Sequence, residues 1–461
     1  MKSNIVLSVF MVLLAVVHVR STSAQSSFGS INMVKQDLFV NGTGYGESIT
    51  RGLYPNRALT FQDHTLQTGT GRFVMNNGTI DCYQSLFING VHITDFEQLD
   101  DQDIVVFCGY RYPHSTYNQF CNGVLGWFKP STTAQVDYFY AEFDSIEKFT
   151  SVAGYYYNGQ PNLVAKGIHR ESGEWRGDVV CIENFLFAQS TQPYTRYRLP
   201  MNQSLIDIVK TENYIVFYGY SGNNRLCLRR ETYAGMSNGT LLNDLYVYST
   251  QCDPAHYTFA TYLGNTLDRN GDRLAVGGPF LLSNGTTLEA RCYTFDASTM
   301  NMTHVQKFAL PGKQPTYGMT YVSDGNMIGL LQAGHPIDGS FVTSVVMLDP
   351  YPAASYLANF FIDPTAYYYS IDKLNYVLTN DKHFLLGTVI TGGFRWSLRS
   401  TLCGGMTTPC NENQKLPIDI LPTVQKTLLQ SPYPRTSSTI QVLVEHSTCQ
   451  QVIPDIIDCV Y

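Results

Sequence analysis

Short apolar runs recur along the chain, each introduced by a polar turn: "DDQDIVVFCGY" from Asp100, "NGQPNLVAKGI" from Asn158, "KTENYIVFYGY" from Lys210, "RNGDRLAVGGP" from Arg269, "SDGNMIGLLQA" from Ser323 and "NDKHFLLGTVI" from Asn380. The residues that open the runs, Asp103, Asn162, Asn213, Asp272, Asn326 and His383, stand 59, 51, 59, 54 and 57 positions apart. A loop and a second strand-like segment follow each run, as at 179–187, 225–233, 288–295 and 341–348, and often a third, as at 136–143 and 304–310. With the apolar segment before each turn, the unit is four short strands in roughly 50 to 60 residues with no helical period, the pattern of a propeller blade. A blade that is apolar on both faces can bury them only against neighbours, so the units are predicted to close into a ring.

The fold predicted is all-β: a single β-propeller of six to seven four-stranded blades over 25–445, seven being preferred because 60–98 reads as a further, irregular blade. Very little helix is expected. Ring closure commonly borrows a strand from a terminus, and "INMVKQDLFV" from Ile31 and "TIQVLVEH" from Thr439 both suit that role. Trp127, Trp175 and Trp396 each follow the second hairpin loop of their unit, an equivalent place that argues for packing between blades.

Ahead of the repeats, Lys2 precedes an apolar core from Ile5 to Val17 and small residues at Thr22, Ser23 and Ala24, so 1–24 reads as a signal peptide. The apolar core is shorter than the roughly 20 residues a membrane span needs. The expectation is a secreted, extracellular protein without a membrane span. Six Asn-x-Ser/Thr sequons agree with that route, at Asn41, Asn77, Asn202, Asn238, Asn284 and Asn301. The 11 cysteines would pair in an oxidising compartment. Neighbours in sequence are Cys108 and Cys121, Cys227 and Cys252, Cys403 and Cys410, and Cys449 and Cys459, the last pair tethering a C-terminal tail at 446–461. Cys181 and Cys292 read as buried thiols.

Composition narrows the partners. The net charge of −7 comes from only 15% charged residues without runs, which disfavours nucleic acid, while 32 Tyr and 25 Phe suit strands. In "LDRNGDRLAVGGPF", Asp268, Asn270 and Asp272 alternate as calcium-loop oxygens do, yet Val276 stands where a distal acidic ligand would come. The other units carry turn residues in this place without repeated carboxylates, so Asn270-Gly271 is predicted to be a hairpin turn, with calcium as the alternative and no cofactor otherwise.

"GNTLDRNGDRLAVGGPF" followed by "LEARCYTFDASTMNMTHVQKFALPG" resembles the FG-GAP-like repeats of extracellular propellers, in which a turn, a Leu-Ala-Val-Gly strand, a Tyr-x-Phe strand and a Gln-Lys-Phe ending recur. The match covers about one blade and lacks the Phe-Gly opening. It implies an extracellular propeller.

Catalytic signatures are missing. There is no Gly-x-Ser-x-Gly elbow, no His-Glu-x-x-His helix and no repeated sialidase turn. Asp81, His114, His169, Glu174, Asp178 and His335 stand singly, although His169, Glu174 and Asp178 share the short segment "GIHRESGEWRGD", which reads as a solvated hairpin. Two function classes follow: a secreted non-enzymatic glycoprotein that binds an extracellular protein or glycan through its faces, as a matrix, coat or attachment component, or a secreted propeller hydrolase acting on glycans with carboxylates drawn from several blades.

Overall fold

The computed structural model describes strand backbone at intervals between 36 and 458. It describes side chains over most of 88–99, 104–111, 121–129, 136–236 and 244–248, and over 273–276, 291–307 and 419–447. The described residues are almost wholly β, with one short helix, Tyr233–Ser237.

Successive antiparallel hairpins build successive sheets. Tyr45–Ile49, Leu59–Asp63, Thr70–Asn76 and Tyr83–Asn89 form the first. His92–Gln98, Val105–Arg111, Asn122–Phe128 and Gln135–Phe143 form the next, and Lys148–Tyr157, Gln160–Glu171, Glu174–Ile182 and Thr191–Arg198 the one after. The pattern continues through 203–254, 266–308 and 319–361, and ends in a sheet of 369–402 strands to which Gln36–Val40 is added. First strands of successive sheets lie side by side from Tyr45–Ile49 to Met319–Tyr321, and Tyr45–Ile49 also touches the 369–402 sheet. The arrangement is propeller-like.

All six predicted apolar runs fall on the second strand of their sheets. Their unbroken hydrophobicity has a direct cause. Side chains alternate between faces along a strand, so Val106 and Cys108 enter the core shared with the 148–198 sheet while Val105 and Phe107 enter the core on the other side. Leu163 and Ala165 against Val164, and Ile215 and Phe217 against Val216 and Tyr218, divide in the same way between neighbouring cores. The central part of these second strands leaves neither face to water, which removes the polar-apolar alternation of a one-sided strand.

The N-terminal candidate for closure pairs as predicted: Gln36–Val40 lies antiparallel to Phe394–Leu402, Val40 opposite Trp396. The C-terminal segment does far more. Asn411–Gln414, Ile418–Leu421, Lys426–Gln430, Arg435–Gln441, Leu443–Thr448, Gln450–Val452 and Asp455–Asp458 pair in turn with Ala358–Phe361, Met302–Phe308, Asp244–Pro254, Thr191–Arg198, Gln135–Phe143, Tyr83–Asn89 and Gln36–Val40. The tail thus adds an outermost strand to the sheets in reverse chain order. The boundary expected at 446 falls inside Leu443–Thr448, and the residues beyond it are rim strands.

Two further expectations change. The tryptophans all lie on third strands, but Trp127 is next to last in Asn122–Phe128 while Trp175 is second in Glu174–Ile182 and Trp396 third in Phe394–Leu402, so their places are not equivalent. Trp127 does pack between sheets, 4.8 Å from Phe185 between ring centroids. In the opening hairpin of 266–308, Asn270 is opposite Arg273 in the ladder, so the two connecting residues are Gly271 and Asp272 and not Asn270 and Gly271. A glycine first in a two-residue loop suits the II′ hairpin as well as Asn-Gly suits I′. The I′ form occurs two sheets earlier: Asn158 and Gly159 join Tyr157 to Gln160 with φ of 50° and 73°.

Candidate functional site

The first strands of successive sheets lie side by side, where a site shared between sheets would be assembled. Three of these strands carry the same irregularity. The register slips by one residue between Ile93 and Asp95, between Phe149 and Ser151, and between Leu205 and Asp207. A bulge of this kind re-aims the next side chain, and here it turns Asp95, Ser151 and Asp207 toward the adjacent first strand. Asp95 Oδ2 accepts from the Val152 amide at 3.0 Å, and Ser151 Oγ donates to Asp207 Oδ1 at 2.7 Å. Asp207 Oδ1 also accepts from the Ile208 amide at 2.9 Å, and Thr94 Oγ1 donates to the Phe149 carbonyl at 2.7 Å.

One step along, Glu97 Oε2 accepts from the Gly154 amide at 2.9 Å and its Oε1 lies 3.3 Å from Lys210 Nζ, which is almost fully enclosed. Glu97, Gly154 and Lys210 belong to three successive first strands. These carboxylates tie the inner strands together by charge-assisted bonds. Committed in this way, Asp95 and Asp207 hold backbone amides and are not presented as an acid and base pair.

A second polar group lies between the 92–143 and 148–198 sheets. Asp178, fully buried, accepts from Arg196 Nε at Oδ1 and from Arg196 Nη2 at Oδ2, both at 2.8 Å, and lies 2.5 Å from His169 Nδ1. Arg196 Nη1 donates to Ser145 Oγ at 2.8 Å and Nη2 to the Ser145 carbonyl at 3.3 Å, which pins the loop between the two sheets. The segment read as a solvated hairpin is therefore buried at His169 and Asp178, while Arg170, Glu171 and the tip Ser172-Gly173, both of positive φ, are turned to solvent. Packing against the neighbouring sheet made the difference. His169 Nε2 is enclosed, and the Ser145 hydroxyl of the group accepts from Arg196.

The cysteine pairs fare differently from expectation. Cys108 is opposite Leu125, and Cys121 lies four positions further along the same ladder, about 13 Å away at the usual strand rise. That exceeds the Cα separation a disulfide spans. Cys227 is opposite Val247, five residues short of Cys252, and stands as a free buried thiol. Cys181 is also free and buried. Burial pushes the thiols of Cys227 and Cys292 up to about 12 and that of Cys181 up as well, which leaves them as apolar filling and not as nucleophiles. Cys403, Cys410, Cys449 and Cys459 lie outside the described residues.

Of the sequons, Asn301 is described and exposed, in a turn closed by Asp296, whose Oδ1 accepts from Ser298 Oγ, the Thr299 amide and Thr299 Oγ1. Asn41, Asn77, Asn202, Asn238 and Asn284 lie outside the described residues. Asp268 and Asn270 are on the strand Thr266–Asn270, and Asp272 lies outside the described residues. Asp81, His114 and His335 do so too. Among the described residues no group of three metal-ligating side chains gathers, and no helix is long and apolar enough to cross a membrane.

The inner-strand acids escaped the sequence reading. Their signal was an interval: Ser151 and Asp207 stand 56 residues apart, and Asp95 precedes Ser151 by the same step.

No family model matches the chain, and no curated protein matches it. Among solved structures it is similar to the acylaminoacyl peptidase of Pyrococcus horikoshii, with 9% identity and a TM-score of 0.39 over 77% of this chain and 52% of that one. It is similar also to the sialidase of Trypanosoma rangeli in complex with sialic acid, with 10% identity and a TM-score of 0.29 over 81% of this chain and 59% of that one. The chain spans about half to three fifths of the length of these structures. Neither likeness assigns an activity to it.

Proposed function

We propose that this chain is a secreted, N-glycosylated, non-enzymatic β-propeller of seven blades, related to the FG-GAP-like extracellular repeats, that binds an extracellular protein or glycan through its faces. The observation that carries the non-enzymatic reading is the commitment of Asp95, Glu97 and Asp207 to backbone amides and to Lys210 on neighbouring inner strands. Carboxylates serving as glycosidase acid and base must be free to face a substrate between them. Support for seven blades comes from the rim, where seven tail strands accompany seven outer strands. Secretion and glycosylation rest on residues 1–24 and on the sequons, with Asn301 in an exposed turn.

The test is to express the full chain in secreting cells, sequence the N-terminus of the product and treat it with an N-glycosidase. The purified protein is then applied to glycan and extracellular-protein arrays, and in parallel to a panel of glycoside substrates. The expected results are a start near Gln25, a drop in apparent mass, a saturable array partner and no turnover. Turnover of any glycoside would replace this reading with the hydrolase one.

A further inference from the structure

The C-terminal segment is held mainly by backbone ladders, since most of its strand side chains face out. Arg435–Gln441 is exposed at every position except the half-buried Ile440, and Leu428, Leu429 and Val444 are about half exposed. What fixes it lies at the joints between strands. Val442, 5% exposed, enters the core between the 92–143 and 148–198 sheets, and its amide donates to the Ser190 carbonyl at 2.9 Å. Tyr433, 4% exposed, enters the next core, and Leu421 and Val424 pack on the one after. Polar clamps set the register: Tyr138 and Tyr140 donate to the two oxygens of Glu445, and Gln430 Nε2 donates to Asp244 Oδ1.

We propose that this segment is an exchangeable edge cap, and that when it lifts, the outer strands it covers are taken by the same segment of a second copy of this chain. An uncovered outer strand presents a row of unpaired amides and carbonyls, a template for any strand of matching register. The outer strands Gln135–Phe143, Thr191–Arg198 and Asp244–Pro254 hold no proline at their centres to prevent such pairing except Pro193. The occupant is selected by side chains: a strand must bring a carboxylate to Tyr138 and Tyr140 and, one joint away, apolar residues that fit the grooves of Val442 and Tyr433. The segment 426–448 of another copy meets both conditions. Within one molecule the docked segment wins because its effective concentration is high. The inference is independent of what the faces bind.

The test uses the full chain in two variants, Glu445→Gln, which removes the charged acceptor and keeps the shape, and Val442→Asp, which drives the joint out of its groove. Val444→Asp, outward on the same strand, is the control. Amide exchange is followed over 135–143 and 443–448, and mass by sedimentation over a concentration series. Both variants should exchange about tenfold faster or more in these strands and, because their outer strands are unchanged, should form mixed dimers as concentration rises when combined with mass-tagged unchanged protein, whose segment keeps Val442 and Glu445. If Val442→Asp does not fold, Glu445→Gln carries the same readings. Faster exchange with a monomer at every concentration, dimers without faster exchange, or no change in either reading would each overturn the proposal.

Discussion

Tyr140 donates its phenolic hydrogen to Glu445 at 2.6 Å across 305 positions of chain, and Tyr138 donates to the other oxygen of the same carboxylate at 2.5 Å. One acidic side chain thereby fixes the register of Leu443–Thr448 on Gln135–Phe143, and Arg111 completes the group by donating to Tyr140 at 2.8 Å.

The first prediction concerns alkaline pH. Burial, and then the bond to Glu445, push the Tyr140 phenol up to about 12, and the same two causes push Tyr138 up. A phenol whose folded value is raised contributes stability that is complete below its ordinary value near 10, and that contribution is lost as pH climbs through the folded value. Between about pH 10 and 12 the protein should therefore lose stability, and Tyr140→Phe should lose less over that interval. Denaturant midpoints at stepped pH check this; parallel losses in the two proteins would refute it.

Glycine positions separate space from backbone freedom. A Cβ on Gly109 would stand 1.8 Å from the His92 carbonyl oxygen, a backbone atom of the paired strand that cannot step aside. Gly159 has open space but a φ of 73°. Gly159→Ala should cost about 1 kcal/mol, whereas Gly109→Ala should break the inner ladder of the 92–143 sheet and cost several times as much. Thermal melts of both variants decide it.

At the buried centre, Asp178→Asn leaves the Arg196 guanidinium enclosed without its counter-charge. The expected loss is about 3 to 5 kcal/mol. A neutral outcome in urea melts would mean that Arg196 turns out to solvent.

Tyr433 lies under Arg229, with the guanidinium carbon 4.0 Å from the ring centroid, and is nearly fully buried. Tyr433→Ala should cost on the order of 3 kcal/mol and raise amide exchange first in the neighbouring rim strand Arg435–Gln441. Exchange that rises only globally would show that the rim strand does not open separately.

For "LDRNGDRLAVGGPF", a tight turn following Asn270 would hold Gly271 at positive φ, so Gly271→Val should cost about 1 to 3 kcal/mol because a β-branched residue avoids that region, while Asp268→Ala should change stability by less than about 0.5 kcal/mol. Melts with calcium and with a chelator distinguish the readings. A calcium-dependent shift erased by Asp268→Ala would establish a metal loop.

Local pattern alone determined the strand class, the near-regular unit, the placement of all six apolar runs on second strands, and the use of Gln36–Val40 beside the final sheet. These features follow from chain-local physics: alternation of side chains, turn residues and unbroken apolar runs. Only the tertiary structure decided the rest. Beyond the strand suggested from Thr439, the belt of tail strands could not be read, because its described side chains mostly face solvent and its partners lie far off in sequence, Gln36 opposite Asp458 for one; which strand a backbone pairs with is not written in the side-chain pattern. The cysteines near one another in sequence are kept apart by ladder register, which sequence spacing does not encode. The same holds for His169 and Asp178, whose alternating charges read as a solvated hairpin. They are buried because a neighbouring sheet closes over that face, and burial of a charged group is set by what packs against it.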